Sequence, residues 1–466
     1  MIIPIPRLTA RHLSVPPAAR PLAGLALIAM VPLAHASDTP GTVTGTSGND
    51  FLFYQGTLEN LDTSVTNAYS GETVAIQGEF NVNTARYDGL AGIDTLLMTD
   101  DGDFLRIEND HGDATVANVE TFFAGDGPDV IQLSGGPTLG QIVIDGGAGA
   151  DILWSNAGDD FINGRGGGDN IHGGPGNDLI NGGDGSGTAS GNDVISGGSG
   201  ADVLNAEDGD DVLRYHADSV WSAGAARTSP IDGAPVPLEG LNRSHDEFDG
   251  GLGVDTLILT DGADALLGQD AISPAHPQAS GTRVTDVEKV LAGLGNDLID
   301  LTDLGAGESV SVEGGEGDDS IWTGAGDDQI DVGIGTDSAF GGLGSDEFFY
   351  DLGYGVDFFD GGDDDSGPLN FDEVVFGAGI TPGLFSLSDL GNDTYEFDFL
   401  GTDDFLTTYR MDSVRFADGT TLALSTEETP SGQAPLPGTL WLMLAGAGIW
   451  YRRRTHLAAR QSPAQT

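Results

Sequence analysis

The chain has 466 residues, with 17 basic against 74 acidic side chains and a formal net charge of −57. Such an acidic molecule repels nucleic acids and anionic membranes, which are therefore excluded as default partners. The sequence has no cysteine, so disulfides and zinc thiolate sites are excluded, and bound cations remain as the means of stabilising an extracellular fold.

The first 36 residues have the plan of a secretory signal peptide. Arg7, Arg11 and Arg20 precede or border an apolar run from 21 to 33, and Ala34-His35-Ala36 offers small residues for cleavage after Ala36. An apolar run of about 13 residues is too short to span a bilayer, which disfavours the alternative of a permanent anchor. The sequence therefore predicts export and an extracellular or cell-surface location.

Residues 37–85 are predicted to form an N-terminal β cap region, followed by two related halves at 86–214 and 248–360. The segment NVETFFAGDGPDVI from Asn118 matches DVEKVLAGLGNDLI from Asp286, and the offset between the two copies holds as far as Trp154 and Trp322. No span of helical period appears between the terminal signals, so the predicted fold class is all-β, with mostly parallel coils. The core positions expected in the first half are Val119, Phe122, Ile131, Ile142 and Ile144.

A period of nine residues begins at Gly146 and is the clearest signal in the chain. Glycine tends to occupy the first, second and fourth places, aspartate the sixth and an apolar residue the eighth. The first array is GGAGADILW, SNAGDDFIN, GRGGGDNIH, GGPGNDLIN, an expanded GGDGSGTASGNDVIS, GGSGADVLN and AEDGDDVLR. The second array is GGEGDDSIW, TGAGDDQID, VGIGTDSAF and GGLGSDEFF.

Each nine-residue unit is predicted to form half a coil of a parallel β-roll. A glycine-rich hexad ending in Asp favours a tight loop, and the next three residues form a short strand that buries its middle side chain. If two units complete a turn, units i and i+2 stack at about 4.8 Å and bring their sixth-place carboxylates together. Unit charges about 5 Å apart repel by roughly 0.8 kcal/mol even in water, so a cation is expected there.

Calcium suits such a site best, because it accepts six to eight oxygens and mixes carboxylates with backbone carbonyls. Magnesium requires a stricter octahedron, and zinc requires His or Cys, of which the repeats offer only His172. The units resemble the calcium-binding nonapeptides of the repeats-in-toxin (RTX, haemolysin-type) family. The resemblance implies several Ca²⁺ ions held by loop carbonyls and sixth-place aspartates, here Gly146, Ala148, Asp151, Asp160, Asp169, Gly173, Asp178, Asp193, Gly197, Asp202, Asp211, Gly314, Asp319, Asp328, Asp337 and Asp346.

Some units depart from the repeat, with Ser155, Arg165, Ala206, Thr323 and Val332 standing where glycine is usual. We expect weak or missing ions near Arg165 and at the insertion from 186 to 191. The alternative interpretation is a flexible Gly/Asp-rich linker without metal, which the apolar eighth place disfavours. Stacked pairs would give roughly five sites in the first array and two or three in the second.

Residues 215–247 are predicted to be a linker or insertion, and 361–428 a β-rich domain that caps the roll. Within the linker, Ser244-His245-Asp246 is interpreted as a surface loop, because three consecutive residues cannot align a nucleophile, a base and an orienting acid. Tight turns are expected at Gly391-Asn392 and at Asp418-Gly419. VFGAGITP and VRFADGT resemble the β-rich domain that often follows RTX repeats.

The tail at 429–466 combines Pro435-Leu436-Pro437, an apolar stretch from 439 to 451 and three arginines at 452–454. It resembles the PEP-CTERM sorting signals that exosortases read in Gram-negative bacteria, with Leu436 where the motif has Glu. The resemblance implies transient contact with the inner membrane and processing by an exosortase-type enzyme. A plain tail anchor is the alternative.

The sequence lacks H-E-x-x-H, G-x-S-x-G and a cysteine nucleophile, so no catalytic residues are predicted and the protein is not expected to be an enzyme. A hidden carbohydrate-active enzyme is less favoured, because carboxylate spacing carries no signal in so acidic a chain. The predicted function is a secreted calcium-binding scaffold that folds on meeting external calcium. The alternative is a calcium-dependent adhesin or polysaccharide-binding protein, which exposed aromatics on a roll face would favour.

Overall fold

The computed structural model describes residues 35–36, 42–83, 85–106, 116–136, 139–183, 191–268, 283–304, 307–362 and 371–424. The regular structure of these residues is entirely β-strand. Within these ranges, no helix has the length and apolarity to cross a bilayer. The predicted signal peptide lies outside the described residues except for His35–Ala36, and the predicted sorting tail lies wholly outside them.

The N-terminal part begins the stack of strands and carries one long hairpin on its outside. In the hairpin, Thr57 to Val65 face Val82 to Val74 in antiparallel register. Val65, Ile76 and Phe80 of the hairpin are buried against Phe104 and Trp154. The strands are β1 His35–Ala36, β2 Thr42–Thr44, β3 Phe51–Phe53, β4 Gly56–Thr66, β5 Thr73–Asn83, β6 Arg86–Asp88, β7 Thr95–Leu97, β8 Asp103–Arg106, β9 Val116–Ala117, β10 Thr121–Asp126 and β11 Val130–Gln132.

The first repeat array forms strands that pair in parallel with the next strand but one. Ile152 pairs with Asn170, and Phe161 with Leu179, each two nonapeptides further on. The predicted stacking of units i and i+2 is therefore confirmed. The strands are β12 Val143–Ala148, β13 Ile152–Trp154, β14 Phe161–Gly166, β15 Asn170–Pro175, β16 Leu179–Gly183, β17 Val194–Ser199, β18 Val203–Asn205 and β19 Val212–Arg214.

The segment after the first array forms two small antiparallel ladders, built from β20 Ser219–Val220, β21 Ala226–Thr228, β22 Pro235–Pro237 and β23 Asn242–Arg243. Its side chains Trp221 and Leu238 pack in one cluster with Trp322. The interpretation of Ser244-His245-Asp246 as a surface loop was wrong, because Ser244 and Asp246 are only 2% and 1% exposed. The chain has already returned to the roll at that point.

The second half repeats the strand order of the first. Strands β10 to β12 start at 121, 130 and 143, and β28 to β30 start at 289, 298 and 311, so the spacing between successive strands is the same in both halves. The strands of this part are β24 Glu247–Asp249, β25 Thr256–Ile258, β26 Ala265–Leu267, β27 Val284–Thr285, β28 Lys289–Leu291, β29 Leu298–Asp300, β30 Ser311–Glu313, β31 Ser320–Trp322, β32 Gln329–Asp331, β33 Ser338–Phe340, β34 Glu347–Tyr350 and β35 Val356–Asp360.

The C-terminal part first continues the parallel stack and then turns antiparallel. Its strands are β36 Glu373–Phe376, β37 Phe385–Gly391, β38 Thr394–Phe399, β39 Phe405–Tyr409, β40 Ser413–Arg415 and β41 Thr421–Ala423. The tight turn between β37 and β38 has positive φ at Asn392 and Asp393, one residue beyond the predicted position. The predicted turn at Asp418-Gly419 joins β40 to β41, with positive φ at Gly419.

Among the described strands, three long sheets form the roll. We name them sheet 1 (β27-β24-β18-β16-β14-β12-β10-β7-β3), sheet 2 (sixteen strands from β4 to β41) and sheet 3 (β26-β29-β31-β33-β35-β39-β38-β37). The fold is thus an all-β parallel roll, as predicted. One apolar core runs along it from Val43 to Leu424. The eighth-place side chains that line it are at most 1% exposed, namely Leu153, Ile162, Ile171, Ile180, Ile195, Leu204 and Leu213.

Candidate metal centre

The sixth-place aspartates stand directly before their strands, so the parallel stacking of the strands places them above one another. In sheet 2, the backbone N–H of Asp151 donates to Oδ1 of Asp169 at 2.8 Å, and Asp169 donates to Asp193 at 2.8 Å. Asp193 in turn donates to Asp211 at 2.6 Å. We call such a row an aspartate ladder, in which one carboxylate oxygen of each member is used to join neighbouring coils.

The other edges of the roll carry the same arrangement. Asp160 donates to Asp178, and Asp178 to Asp202, both at 2.7 Å, in sheet 1. In sheet 3, Asp319 donates to Asp337 at 2.7 Å. Sheet 2 resumes its ladder where Asp328 donates to Asp346 at 2.9 Å. The structure thus places all the sequence-predicted aspartates in ladders rather than in separate surface loops.

The second carboxylate oxygen distinguishes these aspartates from ordinary buried acids. The Oδ2 atom has no hydrogen-bond partner in Asp151, Asp169, Asp178, Asp193, Asp202, Asp211, Asp319 and Asp337. These residues are at most 3% exposed. A buried polar atom without a partner is unfavourable by about 1 to 3 kcal/mol, and more when charged, so a row of them calls for a counterpart.

The first-place glycines show which atoms surround the space beside each unpartnered Oδ2 atom. A Cβ on Gly146 would lie 2.6 Å from Asp151 Oδ2 and 2.9 Å from the carbonyl oxygen of Gly164 in the next coil. At Gly314 the corresponding distances are 2.8 Å to Asp319 Oδ2 and 2.5 Å to the Val332 carbonyl. We call this space the glycine cradle; it recurs at Gly164, Gly173, Gly182, Gly197 and Gly341, where a Cβ would meet the Oδ2 atom of the same unit.

The glycine cradle brings a carboxylate oxygen and a carbonyl oxygen to one small space. Both are acceptors and neither has a hydrogen to donate, so they repel unless a cation or a proton lies between them. Calcium binds such oxygens at about 2.3 to 2.6 Å and tolerates irregular geometry. The residues present therefore fit calcium. Among the described residues no group of three or more His, Cys, Asp or Glu side chains is placed to hold a metal, so backbone carbonyls are needed as ligands.

Burial changes the acidity of these carboxyls strongly. It raises the pKa of Asp151 to about 7 and the pKa of Asp169 to about 8, against the ordinary 3.8. Burial likewise raises the pKa of Asp178 to about 9 and that of Asp202 to about 8, with neighbouring aspartates adding to the effect. Burial disfavours the charged form of a carboxyl, so without a cation a proton competes for the same space at neutral pH.

Units that depart from the repeat vary the cradle in ways that the structure explains. Ser155 stands at a first place, and its hydroxyl donates to Asp160 Oδ2, which is therefore already satisfied. Arg165 forms an ion pair with Asp145 and leaves the cradle of Gly164 open. The expectation of a weak ion near Arg165 stays a prediction. Ala148 was predicted as a carbonyl ligand; its carbonyl accepts the N–H of Gly127 at 2.6 Å with one lone pair, and its role as a ligand stays a prediction.

Several members of the ladders were missed in the sequence. Asp129 accepts from Asp103 and donates to Asp151, and Asp297 donates to Asp319. Asp246, which follows the insertion, accepts the N–H of Asp202 at 3.0 Å. Asp129 and Asp297 end the hexads AGDGPD at 124–129 and AGLGND at 292–297, which keep the glycines at the second and fourth places and could have been found by the same period, whereas Asp246 has no such hexad before it. Residues 184–190, which include most of the insertion from 186 to 191, lie outside the described residues, yet Asp193 after them keeps its place in the ladder.

The fold and these ladders define a class of protein, the parallel β-roll with metal-binding aspartate loops. Comparison with protein families identifies the kind of repeat: an RTX calcium-binding nonapeptide repeat model matches four times, at 143–171, 163–188, 187–219 and 313–348. The chain therefore carries RTX repeats in both arrays, and these repeats bind calcium. Comparison with curated proteins gives no match.

Proposed function

We propose that the protein is a secreted scaffold of the cell surface or extracellular matrix, whose β-roll folds when its loops meet external calcium. The observation that carries the proposal is the facing pair of acceptor oxygens in the glycine cradle. Calcium resolves that repulsion with oxygen ligands alone, which is all that the loops provide. We assign the ions to the first-place glycines and sixth-place aspartates named above, and no catalytic role to the chain.

Coupling of folding to calcium follows from the charge and burial of the ladders. The chain carries a formal net charge of −57, and the ladders bring part of that charge into one buried stack. Without cations, the folded state must either keep these carboxylates charged and close together or hold protons at neutral pH. Each ion bound only by the folded state stabilises it by RT ln(1 + [Ca]/Kd), about 2 kcal/mol at a twenty-fold excess over Kd.

The proposed export agrees with this assignment in physical terms. Extracellular calcium modules bind with dissociation constants of about 0.1 to 1 mM. Such sites would stay empty inside a cell and fill outside it. The proposed signal peptide, the PEP-CTERM-like tail and processing by an exosortase of a Gram-negative bacterium would then deliver an unfolded chain to the place where it folds.

A calcium-dependent adhesin or polysaccharide-binding protein is the second candidate, and one face of the roll favours it. On the outside of sheet 1, Leu97 pairs with both Phe53 and Phe123, which are 44% and 40% exposed. The same row continues from Phe123 through Asp145, which is ion-paired with Arg165, to Asn163 and Asn181. Aromatic side chains beside a row of amides are suited to the apolar faces and hydroxyl groups of sugars.

Removal of calcium from the purified protein separates these proposals. The scaffold proposal expects loss of β-structure in chelator and its return with millimolar calcium, without any added ligand. A Phe53→Ser/Phe123→Ser variant should fold in the same way as the parent. If this variant loses retention on an extracellular polysaccharide column while the parent is retained in calcium, the adhesin is the better description. If the parent is not retained, the scaffold stands alone.

A further inference from the structure

In the first half of the roll, one outer face is covered by a hairpin and the other reaches solvent. The hairpin β4–β5 lies on the outside of sheet 2 and buries its apolar side chains against Phe104 and Trp154. On the outside of sheet 1, Phe53 and Phe123 are 44% and 40% exposed. The outer face of sheet 1 is therefore the wall of this half that is accessible to a ligand.

Two rows of side chains form this outer face. The middle residue of each strand is buried, so the first and third residues point outward. Strand pairing joins the first residues into one row and the third residues into another. The first row is Phe51, Thr95, Thr121, Val143, Phe161 and Leu179, and the third row is Phe53, Leu97, Phe123, Asp145, Asn163, Asn181 and Asn205, all of them exposed or half-buried.

The two rows carry almost no charge, although the whole chain has a formal net charge of −57. Asp145 is the one ionisable side chain in them, and it forms an ion pair with Arg165. Beyond Asn205 the sheet reaches β24 and its acids Glu247 and Asp249, where the neutral region ends. A neutral face gives a charged partner no opposite charge, and its acidic surroundings repel an anion, so an uncharged ligand is favoured.

One end of the face is aromatic and the other is rich in amides. Phe53 and Phe123 both pair with Leu97, which places them two strands, or about 10 Å, apart. At the other end, Asn205 donates to Asn181 Oδ1 at 2.8 Å. An Asn side chain has two donors and two acceptor positions, so a bond between neighbours leaves further groups for the hydroxyls of a ligand. The third row thus combines ring surfaces and amides along one line.

The dimensions of the face decide between a second copy of the chain and a thin polymer. From Phe53 to Asn205 the third row crosses six strand intervals, about 29 Å, and the first row lies about 7 Å to one side. A strip of this length and about 10 Å wide offers roughly 300 Å². A stable interface between two proteins buries about 800 Å² on each partner. The strip is therefore too small for a second copy and has the shape of an extended chain.

We propose that the outer face of sheet 1 binds an extended, uncharged polysaccharide chain that runs across the strands. Sugar rings pack against Phe53 and Phe123, and hydroxyl groups bond to the amides of Asn163, Asn181 and Asn205. The inference rests on the second candidate function and narrows its ligand to neutral glycans. Calcium then acts on binding only through the fold, because the one carboxylate of the two rows is already ion-paired.

The test is native affinity electrophoresis of the calcium-loaded full chain in gels that contain a soluble polysaccharide. Hydroxyethylcellulose, glucomannan and xyloglucan serve as neutral probes. Carboxymethylcellulose has the same backbone as hydroxyethylcellulose but is anionic, so it is the matched charged probe. We expect retardation by at least one neutral probe and none by carboxymethylcellulose. If no neutral probe retards the parent, or if carboxymethylcellulose retards it as strongly, the inference is overturned.

Substitutions at the two ends of the face locate the site. Phe123→Ala and the double variant Asn163→Ala/Asn181→Ala should each weaken binding about ten-fold or more, because each removes groups that contact the ligand. Phe371→Ala truncates a phenylalanine that is 49% exposed and lies outside sheet 1, so it should bind as the parent does. Circular dichroism in calcium confirms that each variant is folded. Equal binding by the parent and both face variants would overturn the inference, whereas polysaccharide binding at another site would stand.

Further outcomes separate this inference from the rest of the account. Sedimentation that shows a dimer of the parent and a monomer of Phe123→Ala would assign the face to a second copy and overturn the inference. Folding on calcium without retardation by any neutral probe would also overturn it, and would leave the scaffold proposal intact. Retardation of a parent that folds without calcium would support the inference and contradict the coupling of folding to calcium.

Discussion

Calcium-free protein should be more stable in acid than at alkaline pH, contrary to the usual behaviour of proteins rich in carboxylates. The ladder aspartates have folded-state pKa values above the 3.8 of an unfolded chain, because burial opposes their charge. A group with a raised pKa contributes stability that is fully present below the unfolded pKa. That stability is lost as the pH rises through the folded pKa.

The magnitude follows from the pKa values of two ladder members. Raising the pKa of Asp151 from 3.8 to about 7 makes the free energy of unfolding about 4 kcal/mol larger in acid than at high pH. Raising the pKa of Asp169 from 3.8 to about 8 adds about 6 kcal/mol to the same difference. Together they are comparable with the free energy of unfolding of a typical domain, which is roughly 5 to roughly 15 kcal/mol. As the pH rises from about 4 to about 8, the calcium-free roll should therefore lose most or all of its stability.

The assay is urea unfolding followed by circular dichroism at pH 5.5 and 8.5, with calcium removed on a chelating resin. We expect a cooperative transition at pH 5.5 and little folded signal at pH 8.5, with the folded signal at pH 8.5 restored by calcium. Asp169→Asn should reduce the pH dependence, whereas Glu59→Gln, at an exposed position, should not. Equal stability at the two pH values, or greater stability at pH 8.5, would refute the reasoning.

Three substitutions test the loops and the core. Gly314→Ala places a Cβ against Asp319 Oδ2 and should remove one ion in calorimetric titration, whereas Gly48→Ala, whose Cβ has only Thr46 Oγ1 nearby at 3.8 Å, should not. Ser155→Gly removes the hydroxyl that donates to the ladder and should add one ion, so an unchanged stoichiometry contradicts it. Ile171→Ala should lower the calcium-loaded unfolding free energy by about 2 to 5 kcal/mol, and a loss below about 1 kcal/mol would argue against its core position.

The nonapeptide period was sufficient to predict the roll and its register. A period of nine with one apolar place allows a single arrangement in which each eighth-place side chain is buried, and Leu153 and Ile162 are buried as that arrangement requires. The constant offset between the two halves predicted the recurrence of strands from β10 onward. Local glycine and aspartate positions thus carried the information, since each loop forms from its own six residues.

The ladders outside the repeats were not predictable in the same way. Neither Asp246, which follows the predicted insertion, nor Asp103, which follows Asp101-Gly102, ends a glycine-rich hexad, so no fixed spacing marks either. Their position is set by the pairing of the following strand with the coil below. The hydroxyl of Thr99, which satisfies Asp103, likewise becomes meaningful only when the loop is folded. Stacking, rather than local sequence, decides which acids share an edge.

Far-UV circular dichroism of the protein at pH 7.5, titrated from chelator into millimolar calcium with magnesium as the matched control, tests the central claim most directly. The account predicts a cooperative gain of β-structure with calcium and a much smaller change with magnesium, because the cradles offer irregular oxygen ligands rather than an octahedron. A spectrum that is already β-rich in chelator and does not change with calcium would contradict the account.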